Sequence, residues 1–111
     1  MGDWYPFDEG RSVGLTGSEG GRILRDEEYA DGARITLERG GYSPFSITCG
    51  VYGWMVHTRF FEDEAAAQSA FEEMKVGLTD VINIIPLVSE VDDAKISAVS
   101  DALADFIERF P

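Results

Sequence analysis

"FSITCGVYGWMVHTRFF", residues 45–61, decides how this chain folds. It holds the only cysteine, Cys49, and the only histidine, His57. Its apolar residues first fall on odd positions (Phe45, Ile47, Cys49, Val51) and then favour even ones (Trp54, Val56, Phe60). A single straight strand cannot do this, because its side chains alternate strictly between two faces. A hairpin turning at Tyr52 and Gly53 repairs the parity: Val51 would pair with Trp54, Cys49 with Val56, Ile47 with Thr58, and Phe45 with Phe60. A four-residue loop, 50–53, keeps that parity, and a bulge within one long strand is the competing account. The hairpin reading sends Cys49, Trp54, Val56 and Phe60 toward a core. It leaves Met55, His57, Arg59 and Phe61 on the other face. The inverted parity would instead put Tyr52 and Trp54 outside as a stacking platform.

Upstream, "YADGARITLERGG" reads as a hairpin with residues 30–32 as its loop, Gly32 supplying the positive φ of a G1 bulge. Ile35 and Leu37 then share one face, with Thr36 and Glu38 opposite. "RSVGLTGSEGGRILRDEEY" reads as two short strands around a turn at 18–21. The first ten residues form an aromatic arm. Trp4, Tyr5 and Phe7 are too greasy for a free tail and are expected to dock on the sheet or on a neighbouring subunit.

Downstream the period changes from two to 3.6. Over 62–85, Ala67, Ala70, Phe71, Met74, Leu78, Val81, Ile82 and Ile85 form one stripe, with acids in the first turn and Pro86 as the stop. Gly77 inside this helix costs roughly 1 kcal/mol against alanine unless close packing uses the gap. A second helix over 89–110 carries Ile96, Val99, Leu103, Phe106, Ile107 and Phe110 on one side, with Ser89 as its N-cap. The expected fold is α+β and a single domain over 1–111: a meander-like antiparallel sheet of about four to five strands (11–61), then two amphipathic helices on one face.

Composition limits function. With 21 acids against 9 bases, the net charge is −12, which disfavours nucleic acid and anionic membranes and serves either solubility alone or a basic protein partner. Apolar residues make up 44% of the chain, enough for a core at this length without disulfides. No signal-peptide pattern opens the sequence, and "VINIIPLV" is too short to span a bilayer, so a cytoplasmic location is expected.

The motifs that carry chemistry are thin. "GLTGSEGGR" lacks the Lys-Ser or Lys-Thr of a phosphate loop. "GVYG" has no basic residue to clamp a nucleic-acid backbone. One Cys and one His, read onto opposite faces, make neither a zinc site nor a nucleophile–base pair. No metal or cofactor is expected, and catalysis is disfavoured. Two functional readings remain. The first is a non-enzymatic interaction protein acting as a homodimer or on a basic partner. The second is a small-molecule binder or enzyme with a pocket between sheet and helices for an anionic ligand, built from Tyr52, Trp54, His57 and Arg59, with Arg59 as the anion clamp and His57 as proton donor.

Overall fold

The computed structural model describes residues 4–30, 32–86 and 90–111. Among these, five strands form one antiparallel sheet in chain order: β1 (Trp4–Pro6), β2 (Arg22–Tyr29), β3 (Ala33–Arg39), β4 (Phe45–Val51) and β5 (Met55–Phe61). Helices α1 (Glu64–Ile82) and α2 (Asp93–Arg109) follow and cover one face of the sheet. The α+β meander expected from the strand-then-helix pattern is the observed architecture. No helix among the described residues is long and apolar enough to cross a membrane.

The core lies between sheet and helices. Ile35 and Leu37 of β3, Ile47, Cys49 and Val51 of β4, and Phe71, Met74 and Leu78 of α1 are all buried there. Each such large side chain contributes roughly 1.5–3 kcal/mol by leaving water. α1 lies across β3, β4 and β5, and α2 packs on α1. Gly77 is where the helices meet: a Cβ there would stand 3.0 Å from the Phe110 ring and 3.1 Å from Phe106. Close approach therefore uses the gap that glycine leaves. On the outer turns of α2 the expected stripe is broader than the buried one, for Ile96 and Ile107 are exposed.

The pairing of β4 with β5 differs from the expected register. Val51 pairs with Met55, Cys49 with His57, Ile47 with Arg59, and Phe45 with Phe61. The loop is Tyr52, Gly53 and Trp54, one residue longer than the tight turn read from parity. Trp54 N–H closes it on Val51 O at 2.9 Å, and Gly53 takes φ 81°, as a type II turn requires at that position. One extra loop residue moves every β5 side chain to the opposite face. Met55, His57, Arg59 and Phe61 therefore face the helices, and Val56 and Phe60 face away, the reverse of the hairpin reading.

Three further expectations are corrected. Only the second of the two strands expected around 18–21 forms. Residues 11–21 are turns joined to β2 by a single bridge, Thr16 with Arg22. The N–H groups of Glu19 and Gly21 donate to the Glu38 side chain rather than to a strand ladder. In the β2–β3 loop, Ala30, not Gly32, takes the positive φ, 43°. Gly32 instead permits the end of α1 to approach, since a Cβ would meet Ile82 at 3.2 Å; Asp31 lies outside the described residues. The helices are shorter than read. Asp63 caps α1 through Ala66 N–H at 2.8 Å, and α1 ends at Ile82, where i→i+3 bonds from Ile84 and Ile85 tighten the chain before Pro86. Asp92 caps α2 through Lys95 N–H at 2.8 Å; Ser89, the expected cap, lies outside the described residues.

The aromatic arm docks on its own chain as the edge strand β1, pairing Trp4 with Tyr29. The Trp4 indole donates to Thr79 Oγ1 of α1 at 3.0 Å and meets Tyr29 edge-on. Beside it, Arg25 and Lys75 bridge Glu27 and Glu72 and join β2 to α1. The Arg25 hydrogen bond holds the Glu72 carboxyl below its ordinary range.

Candidate functional site

The four residues expected to form one pocket divide between the two faces of the sheet. On the helix side, the His57 ring bonds the Phe110 carbonyl at 2.5 Å, and since a carbonyl only accepts, Nε2 carries the proton. Arg59 Nε donates to Pro111 O at 3.1 Å, and its guanidinium lies over the rings of Phe61 and Phe110. Burial lowers the Arg59 pKa. Both side chains fasten the end of α2 to β5. Between them and the core, burial pushes the Cys49 thiol up to about 12, so it stays protonated and unreactive at neutral pH. Among the described residues, no three His, Cys, Asp or Glu side chains gather as metal ligands do.

On the open face, Tyr52 and Trp54 line a concavity of about 820 Å³. The Tyr52 hydroxyl donates to Glu28 Oε2 at 2.7 Å. Burial and that carboxylate push its pKa up to about 12. The floor comes from positions that alternate away from the core: Thr36 and Glu38 of β3, Thr48 of β4 and Val56 of β5. Arg34 adds a charge that is already engaged. Its Nε and Nη2 grip the two carboxylate oxygens of Asp26 at 2.9 and 2.6 Å, and Phe7 stacks on the guanidinium at 3.6 Å. That grip raises the Arg34 pKa. The Asp26 side chain is fully buried and also accepts from the Thr36 hydroxyl at 3.0 Å. Glu38 is fully buried too, under the turn whose N–H groups it binds.

The chain matches no protein-family model, no curated protein and no solved structure. The surfaces themselves must carry the functional reading.

A second concave surface lies in the helical layer. A groove of about 320 Å³ runs between α1 and α2, floored by Gly77, Val81, Ala102 and Phe106 and flanked by Asp80 on one helix and by Asp105 and Arg109 on the other. Asp80, Asp101, Asp105 and Glu108 are all exposed, and none has a salt-bridge partner among the described residues. Residues 62–111 hold twelve acids and three bases, whereas 1–61 hold nine and six. The fold thus sorts the negative charge into the helical layer.

Sequence reasoning missed the Asp26, Arg34 and Thr36 cluster and the groove. Thr36 and Glu38 were already placed opposite the core by parity. Asp26 and Arg34 lie eight residues apart around the 30–32 loop, and the hairpin register brings them together. Of the three arm residues expected at an interface, Trp4 and Phe7 are engaged within the chain. Tyr5 is exposed on the open face, opposite Glu28, with its hydroxyl donating to Ala30 O at 3.2 Å.

Proposed function

We propose that this is a binding protein that receives a basic protein partner on its helical layer. The carrying observation is the groove between α1 and α2, an apolar floor flanked by Asp80 and Asp105, which have no salt-bridge partner among the described residues, with Arg109 as the one cation of its lining. Such a groove favours an amphipathic segment whose apolar side chains enter the floor while lysines or arginines meet the rims. The exposed Ile84, just beyond α1, lines the groove, and the exposed Val76 lies one turn before Asp80 on α1; both supply apolar contact area. A net charge of −12 steers a basic partner inward and opposes a second copy in the same place, because two such chains would repel. The homodimer is therefore the weaker form of the interaction reading.

A synthetic amphipathic lysine–leucine peptide tests it. The double variant Asp80→Lys, Asp105→Lys is expected to weaken peptide binding at least about tenfold, by analogy with charge pairs at interfaces. A control of equal charge change, Glu62→Lys with Glu90→Lys, is expected to lose much less. Calorimetric titrations at two salt concentrations measure both. Equal losses in the two variants would reduce the groove to a diffuse field effect and defeat the proposal.

A further inference from the structure

The open-face concavity lies across the sheet from the groove, so its occupant is independent of the helical layer. Its volume, about 820 Å³, is that of a site for a drug-sized small molecule. Its walls include the apolar side chains of Ile23 and Trp54. Its hydrogen-bonding groups are unevenly used, and that unevenness specifies the ligand.

The hydroxyl protons of Thr36 and Tyr52 are already committed. Thr36 donates to Asp26, Tyr52 donates to Glu28, and Thr48 and Thr58 share one hydrogen bond at 3.2 Å. What Thr36 and Tyr52 still offer a ligand is lone pairs. Arg34 has the opposite surplus. Asp26 takes Nε and Nη2, while Nη1 has no partner among the described residues. The site therefore presents one charged donor edge and several acceptors.

Charge narrows the choice further. An anion would meet a guanidinium already neutralised by Asp26, within a chain of net charge −12. A cation would find the Asp26 and Glu38 side chains fully buried and already bonded. A neutral group with both an acceptor and a donor avoids both costs. We infer that the concavity binds a neutral carboxamide on an aromatic or aliphatic body, its carbonyl accepting from Arg34 Nη1 and its N–H donating to Tyr52 or Thr36.

The experiment uses one skeleton in three charge states: naphthalene-2-carboxamide, 2-naphthoate and 2-naphthamidinium. Each is titrated into the whole chain and followed by the Trp54 indole N–H signal in NMR, assigned with Trp4→Phe. The amide is expected to bind tightest. Arg34→Lys keeps a cation beside Asp26 and removes the Nη1 donor edge; it is expected to weaken the amide about tenfold, the scale of a hydrogen bond to a charged group. Gly50→Leu places a side chain in the concavity, where a Cβ meets only ordinary contacts, 3.5 Å at the nearest, and it is expected to abolish binding. The proposal is overturned if the carboxylate or the amidinium binds tightest, if no amide binding is seen, or if a folded Gly50→Leu protein binds the amide unchanged.

Discussion

The two faces of the sheet use the same strands in opposite ways. The helix side of β3 and β4 is apolar and continuous, and its charged neighbours, Arg25, Glu27, His57 and Arg59, lie toward the edges and join strands to helices or the chain's end. The open side of β2 and β3 carries Asp26, Arg34, Thr36 and Glu38, each tied to a partner, with aromatic rings at the rim. Burial alone does not separate the two faces, since Asp26 and Glu38 are as hidden as Leu37. What separates them is what would be lost: dispersion and transfer energy on one side, electrostatic compensation on the other.

The sharpest way to break this contrast is to empty one face. Phe71→Ala removes a fully buried ring from α1 and is expected to destabilise the fold by about 4 kcal/mol, read from urea denaturation. Next is the open face. Arg34→Met leaves the buried Asp26 carboxylate without its cation and is expected to cost about 3 kcal/mol, the lower end for a broken buried pair because Arg34 is partly exposed. The double variant Asp26→Leu, Arg34→Met should recover most of that loss. If it does not, the pair contributes by packing rather than by compensation.

A smaller effect comes from pH on the helix side. The folded Cys49 pKa, about 12, lies above its ordinary value of 9.0. The folded state therefore holds the proton more tightly than the unfolded chain. Its contribution is complete below pH 9 and is lost as pH rises toward 12, at about 1.4 kcal/mol per pH unit. Melting curves from pH 8 to 11 should fall less steeply for Cys49→Val than for the parent chain. An unchanged slope would assign the alkaline loss to Tyr52. The smallest effect tests the open rim: Val56 is 77% exposed, and Val56→Ser should change stability by less than about 0.5 kcal/mol in the same denaturation series.

Much of the fold was legible in the residues. The change of period from two to 3.6 near residue 62 announced a sheet followed by helices, and the stripe from Ala67 to Val81 is the buried face of α1. The site was less legible because it hung on one loop length. Two residues or three between β4 and β5 give equally plausible turns, and only the second puts His57 beside Phe110. Alternation in β5 is itself ambiguous, as "MVHTRFF" has an apolar residue on both parities. The groove depends on how two helices lie together, which no local pattern encodes. Gly77 was its one trace, a costly residue whose purpose appears only when Phe106 and Phe110 are packed against it.

The simple order of the strands bears on how the chain is made. Each of β2 to β5 pairs with its immediate predecessor, so the sheet can form hairpin by hairpin as residues emerge during synthesis. The helices that cover it come last. Ile35, Leu37 and Ile47 owe their cover to α1, residues 64–82, which follows every strand in the chain. The bonds that close the structure, Trp4 to Thr79 and His57 to Phe110, span 75 and 53 residues. The helical cover is thus made after the sheet it shields, and these two ties fasten the first and fifth strands to residues that come later in the chain.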